Sequence, residues 1–192
     1  MLYLPNPLEL ELHLSDEQFF QLCQKHSHLR FERNADGDII VMPPTGGWTG
    51  KRNSDINYQL RAWNRRAKLG EVFDSSTGFR LPNGADRSPD ASWLKLERWE
   101  ALTAEQQEKF VPLCPDFVIE LRSPSDTLKT LQDKMQEYLE NGSQLGWLID
   151  PSRKVVEIYR PNVKVETLVH PKTVSGEEIL FGFELDLTEI FN

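Results

Sequence analysis

Cysteine is nearly missing from this chain of 192 residues: Cys23 and Cys114 are the only two, far apart. That excludes a disulfide framework and leaves no cysteine-based zinc motif. Histidine is equally sparse. His13, His26, His28 and His170 lack the spacing of metal ligands, and His26-Ser27-His28 reads as the solvated end of a helix. No apolar run approaches the roughly 18 residues of a membrane span. Met1 to Leu14 carries Glu9 and Glu11 and lacks the basic, apolar, small-residue order of a signal peptide. The expectation is no membrane partner and a cytoplasmic compartment. Positive charge is also in deficit. A net charge of −8 lowers non-specific affinity for phosphate, so any nucleic-acid surface has to be local.

What is present is the composition of an ordinary folded chain, 39% hydrophobic and 27% charged. The length suits one domain over 1–192. Leu8 to Leu12 alternates with the period of a half-exposed strand. Ser15 followed by Gln18 looks like a capping box opening a helix with Phe19, Phe20 and Cys23. Leu29 to Arg33 and Asp38 to Met42 read as a hairpin around Asp36-Gly37.

From Trp48 to Ala67 the pattern turns helical, with Ile56, Leu60, Trp63 and Ala67 on one face and Gly70 as the expected stop. Strands follow at Glu71 to Phe73, Phe79 to Leu81 and Pro89 to Leu94. Glu97 to Phe110 reads as a helical excursion. Pro115 to Leu121 has a near-continuous apolar middle, as expected of a central strand covered on both faces. Ser123-Pro124-Ser125 is expected to cap a helix over Asp126 to Glu140 with Leu128, Leu131, Met135, Tyr138 and Leu139 as its core stripe. Leu145 to Ile149 reads as a strand, Val155 to Arg160 with Val163 to Val169 as a hairpin, and Phe183 to Phe191 as a closing segment.

This order brings two carboxylates together. Asp90 opens one strand and Glu120 stands near the end of the next, so antiparallel neighbours would place them side by side, able to share a divalent ion. A carboxylate ending an apolar central strand costs several kcal/mol unless a cation or hydrogen bonds compensate it. Lys134 sits at the edge of the stripe of its helix, from where its ammonium can project into a neighbouring cleft. Asp116 also follows a proline, but four residues of strand put it about 13 Å from Glu120, too far to share one ion. One local run of positive charge exists: Lys51, Arg52, Arg61, Arg65, Arg66 and Lys68, opposed only by Asp55.

Phe79-Arg80-Leu81-Pro82, Pro89-Asp90, Pro115 to Ser125, Lys134, Tyr138, Gly142, Trp147 to Pro151 and Phe183-Glu184-Leu185 together resemble the Uma-type family of restriction-endonuclease-like proteins, within the PD-(D/E)XK nuclease superfamily. Each motif is weak alone; their order and spacing carry the resemblance over nearly the whole chain. It implies an α+β domain with an α/β core: a restriction-endonuclease-like mixed sheet flanked by helices, with added N-terminal and C-terminal strands. The nuclease core would span about 48–151, with 1–47 and 152–192 as extensions.

The resemblance further implies Asp90, Glu120 and Lys134 as catalytic residues and Asp90 and Glu120 as ligands of Mg²⁺ or Mn²⁺. The superfamily's lysine two positions after the acid is missing, because position 122 is Arg, and the role passes to Lys134 on the following helix. Arg122 is an auxiliary candidate, although its guanidinium cannot serve as a base. Asn53 falls where many members place an auxiliary carboxylate. The expected activity is metal-dependent endonuclease hydrolysis of phosphodiesters, with nucleic acid, DNA foremost, as partner. Lys51, Arg52, Arg61, Arg65 and Lys68 are the candidate phosphate contacts. A cut through both strands would usually need two sites, which raises a homodimer as an expectation.

Two rivals stay open. A catalytically inactive nucleic-acid-binding or regulatory protein would keep the fold and shift nucleic acid without cutting it. A carbohydrate hydrolase would use Asp90 and Glu120 as an acid/base pair and ignore EDTA.

Overall fold

A computed structural model describes residues 8–192, so the leader reading of the first seven residues lies outside the described part. The chain begins with β1 (Leu8–Leu10), α1 (Asp16–Lys25), β2 (Arg30–Arg33) and β3 (Ile39–Met42). The capping box of α1 is present: Ser15 Oγ accepts from the Gln18 N–H, and the Gln18 side chain accepts from the Ser15 N–H. β2 and β3 pair antiparallel around Gly37, whose φ of 98° is a conformation glycine adopts without steric cost.

There follow α2 (Gly47–Ala67), β4 (Gly70–Asp74), β5 (Phe79–Arg80), β6 (Asp86–Arg87) and β7 (Ala91–Lys95). The helical excursion is two short helices, α3 (Leu96–Glu100) and α4 (Ala104–Glu108), because Thr103 starts the second with a capping box of its own. The chain continues through β8 (Phe117–Leu121), α5 (Leu128–Glu140), β9 (Leu145–Asp150), β10 (Val155–Tyr159), β11 (Glu166–Val169), β12 (Thr173–Ser175) and β13 (Glu184–Asp186). Among the described residues no helix is long and apolar enough to cross a membrane.

The larger sheet has the order β11-β10-β9-β8-β7-β4. Only β8 and β9 are parallel, joined by the crossover through α5, as a parallel pair requires. All five residues of β8 are buried, which matches its apolar run. Side-chain parity then divides the core. Phe117, Ile119 and Leu121 pack with Ile56, Leu60 and Trp63 of α2, whereas Val118 packs with Leu131, Met135 and Tyr138 of α5. Glu120 shares the parity of Val118 and therefore faces α5. β10 and β11 continue this sheet past residue 151.

The smaller sheet runs β1-β3-β2-β6-β5. It is tied down by buried Arg33, 2.7 Å from Asp86 and 2.8 Å from Asp16, with Arg80 2.8 Å from Asp86. This network clamps α1 and the hairpin beside the carboxylate-bearing end of the larger sheet.

Two local expectations are corrected. Gly70 does not stop α2; Lys68 does, in the left-handed conformation at φ 54°, and Gly70 already belongs to β4. Gly70 is needed for packing instead, because a Cβ there would lie 2.1 Å from the Leu94 carbonyl oxygen and 2.5 Å from the Trp93 ring. Gly70→Ala is expected to destabilise by about 3 kcal/mol or more through backbone displacement, and an unchanged urea midpoint would contradict this packing. The cap of α5 is Thr127, whose side chain accepts from the Thr130 N–H. Asp126 accepts from the Ser123 N–H at 2.7 Å, which folds 123–126 into a turn and delays the helix.

Candidate active site

β7 and β8 pair antiparallel with Ala91 opposite Ile119, so Asp90 and Glu120 lie one step further along the same register. Asp90 Oδ2 accepts from the Leu121 N–H at 2.9 Å, and Oδ1 accepts from the Asn53 amide of α2 at 2.7 Å. Asn57, one turn on, donates to the Asp90 carbonyl oxygen. Glu120 Oε1 accepts from the Tyr138 hydroxyl and pairs with Lys134 Nζ, each at 2.9 Å. Asp90, Glu120, Lys134 and Asn53 thus come together. Arg122 does not. It pairs with Asp150 at 2.7 Å and reaches the Asp126 carbonyl, a structural bridge between strand and turn.

Lys134 is more deeply engaged than its place at the stripe edge suggests. Its Nζ lies 2.7 Å from Glu32 Oε1 on β2 as well as 2.9 Å from Glu120, and only 12% of the side chain is exposed. Glu32 also accepts from the Ser88 N–H and pairs with Arg87, which in turn holds Glu137. Three carboxylates, Glu32, Glu120 and Glu137, thus pair with Lys134 and Arg87, and Asp90 lies near enough to feel the charge of Lys134.

The electrostatics follow. Burial pushes the Asp90 carboxyl up, against the Leu121 N–H. Burial likewise raises Glu120, from an ordinary 4.5 to about 7; Lys134 opposes the rise, and neighbouring Asp90 and Glu32 add to it. Burial also works against ionised Glu32, but Lys134 and Arg87 outweigh it and hold that carboxyl below its usual range. The two carboxylates in turn keep Lys134 protonated despite its burial.

No three His, Cys, Asp or Glu side chains among the described residues are arranged as a metal-binding group. The donors fit a hard divalent ion only when oxygens of other types join. Asp90 and Glu120 supply two carboxylates, and Asn53 Oδ1 is buried without any hydrogen-bond donor. The surplus of negative charge and the orphaned amide oxygen are what a bound cation would relieve.

The site opens into a cleft of about 1110 Å³ between the smaller sheet, the start of α2 and the turn before α5. Among the basic candidates, Arg52 lines this cleft. Lys51 lies just outside, in a second depression beside Glu189. Arg61, Arg65 and Lys68 do not line it. Arg65 stands twelve residues beyond Asn53 on α2, about 18 Å along the helix axis, and Arg61 pairs with Glu71.

Sequence reasoning missed Glu32, Arg87 and the hydroxyl of Tyr138 as members of the site. Arg30-Phe31-Glu32-Arg33 looks like any charged hairpin strand, and only the pairing of Arg33 with Asp86 reveals where Glu32 points. The one available signal was Arg87, which lies between Asp86 and Asp90 on the approach to β7.

Residues 16–188 match the Uma2 family, described as "Putative restriction endonuclease". No curated protein matches the chain. A solved structure described as "a putative nuclease belonging to DUF820 from Anabaena variabilis ATCC 29413" superposes with a TM-score of 0.77 at 20% identity, covering 93% of this chain and 97% of that one. At that identity the likeness speaks for the fold. The family match spans the hairpin carrying Glu32, the helix carrying Asn53, both acid-bearing strands and α5, and on that coverage the chain belongs to the Uma2 family of restriction-endonuclease-like proteins.

Proposed function

We propose that this protein is a metal-dependent endonuclease whose site is Asp90, Glu120 and Lys134, with Asn53 assisting. The observation that carries this reading is the convergence of buried Glu120, half-buried Asp90 and the largely buried Lys134 on a single cleft. Asp90 and Glu120, with the Asn53 amide oxygen, would hold Mg²⁺ or Mn²⁺. Such an ion, when bound, supplies charge neutralisation on the phosphate and a polarised water.

The chain's own contributions are distinct. Asn53 and the Leu121 N–H fix the Asp90 carboxylate, and Tyr138 fixes Glu120. Lys134, held by Glu32, presents a compact cationic donor to charge developing on the phosphoryl oxygens. Arg52 and Lys51 hold backbone phosphates at the cleft mouth, and Arg61, Arg65 and Lys68 extend that track for a longer substrate. DNA is the foremost substrate, a homodimer would supply the second site for a double-strand cut, and the cytoplasm is the compartment.

A second reading, a binder that no longer cuts, is favoured by one observation: Lys134 is locked between two carboxylates. Incubating the purified protein with mixed single- and double-stranded DNA and RNA, with Mn²⁺ and with EDTA, separates the two. Cleavage that requires Mn²⁺ and is lost in Glu120→Gln is the expected result. Retention of nucleic acid without cutting would establish the binder, and EDTA-resistant cutting would overturn the metal site.

A further inference from the structure

Trp48 differs from the other tryptophans of the chain, and of the exposed aromatics Trp48, Tyr58 and Phe181 it alone lines the cleft. Trp63, Trp93 and Trp147 are core residues at 5% exposure or less, whereas Trp48 is 63% exposed on the first turn of α2. Nothing in the helix requires an aromatic there, since an exposed tryptophan adds neither a cap nor core burial. It lines the same cleft as Asp90, Glu120 and Lys134.

Two cations attend it. Lys51 Nζ lies 5.3 Å and the Arg52 guanidinium carbon 5.6 Å from the ring centroid. Arg52 also donates to the Asn192 carbonyl oxygen, while its Nε has no acceptor among the described residues. Both cations lie over the indole, so a base has to stack on the remaining face or displace one of them. An exposed π face with cations at hand is the arrangement by which proteins grip single strands, stacking bases while the cations track the backbone.

The dimensions agree. Trp48 precedes Asn53 by five residues, about 7.5 Å of helix rise, which equals about two stacked nucleotide steps of roughly 3.4 Å. A cleft of about 1110 Å³ is close to the size of a small-ligand pocket and admits a few nucleotides of one strand. Away from its two ends a duplex presents no base face to an indole unless a base is first unstacked, at a cost of a few kcal/mol.

We infer that Trp48 is a base-stacking platform and that the substrate segment reaching Asp90 and Glu120 is single-stranded nucleic acid. The inference names the substrate class of the proposed nuclease and rests on that reading for its chemistry, but its binding test does not require cutting.

A fluorescein-labelled single-stranded DNA oligonucleotide, and the blunt duplex of the same sequence, are titrated with the intact protein in EDTA and read by anisotropy. Wild type is expected to prefer the single strand by at least about tenfold. Trp48→Ala should weaken single-strand binding by about 5- to 100-fold, with Trp48→Phe retaining most of it, and leave duplex binding unchanged. Its thermal midpoint should match wild type, because the ring is exposed. Equal binding of both DNAs by wild type, or single-strand binding untouched in Trp48→Ala, would overturn the platform. Trp48-dependent single-strand binding without Mn²⁺-dependent cleavage would sink the nuclease reading and leave the platform standing.

Discussion

Lys134→Ala is expected to lower Mn²⁺-dependent cleavage by about 10²-fold or more, the scale of losing one preorganised transition-state donor. The same substitution is also expected to destabilise the fold. Placement at the edge of the stripe of α5 predicts a nearly neutral change in stability; the structure corrects this, because Lys134 is buried between Glu32 and Glu120. Removing it leaves two buried carboxylates without their shared cation, a destabilisation of about 3–5 kcal/mol when one partner of a buried pair is lost. Rates must therefore be compared on folded protein, well below each midpoint. Arg122→Ala serves as the contrast. It breaks a bridge to Asp150 and is expected to cost stability while sparing single-turnover cleavage. Full activity in Lys134→Ala with an inactive Arg122→Ala would transfer the role to Arg122.

The second large effect is thermal. At 100 times its Kd, an ion that binds only the native state stabilises it by about 2.7 kcal/mol, which raises the midpoint of a domain this size by roughly 5–10 °C. The pH dependence has a definite sign. Glu120 is raised from 4.5 to about 7, so its folded form holds a proton more tightly than its unfolded form. Its contribution to the metal-free protein is fully present below pH 4.5 and is lost as pH rises towards 7. The ion has to displace that proton, so the Mn²⁺-induced rise in midpoint should be small near about pH 5 and large near about pH 8. Glu120→Gln keeps the acceptor for Tyr138, removes the buried charge and should abolish the response to Mn²⁺. An equal rise in wild type and Glu120→Gln, measured by calorimetry at both pH values, would place the ion elsewhere.

Much of the candidate site is legible in the sequence. The apolar run at Phe117 to Ile119 identified a central strand, and the positions of Asp90 and Glu120 at opposite ends of successive strands implied their meeting. The helical wheel placed Lys134 towards the cleft, and Arg122 was excluded as a base by its chemistry. What sequence could not supply was the partner of Lys134, because Glu32 is 102 residues away on a strand whose neighbours are set by the buried contact of Arg33 with Asp86. Burial of Lys134 follows from that partner, so its contribution to stability was hidden with it. The end of α2 departs from the sequence expectation for a related reason. Glycine is the commonest helix stop, but here Lys68 takes the left-handed conformation and the strand packs so closely on Trp93 that Gly70 is needed two residues later.

The location of one bound ion tests the central claim most directly. Crystals soaked in Mn²⁺ and measured at the manganese absorption edge should show a single anomalous peak between the carboxylates of Asp90 and Glu120, within reach of Asn53 Oδ1, with Lys134 still bound to Glu32. A peak at any other acidic cluster, with Glu120 still paired to Lys134, would contradict the account.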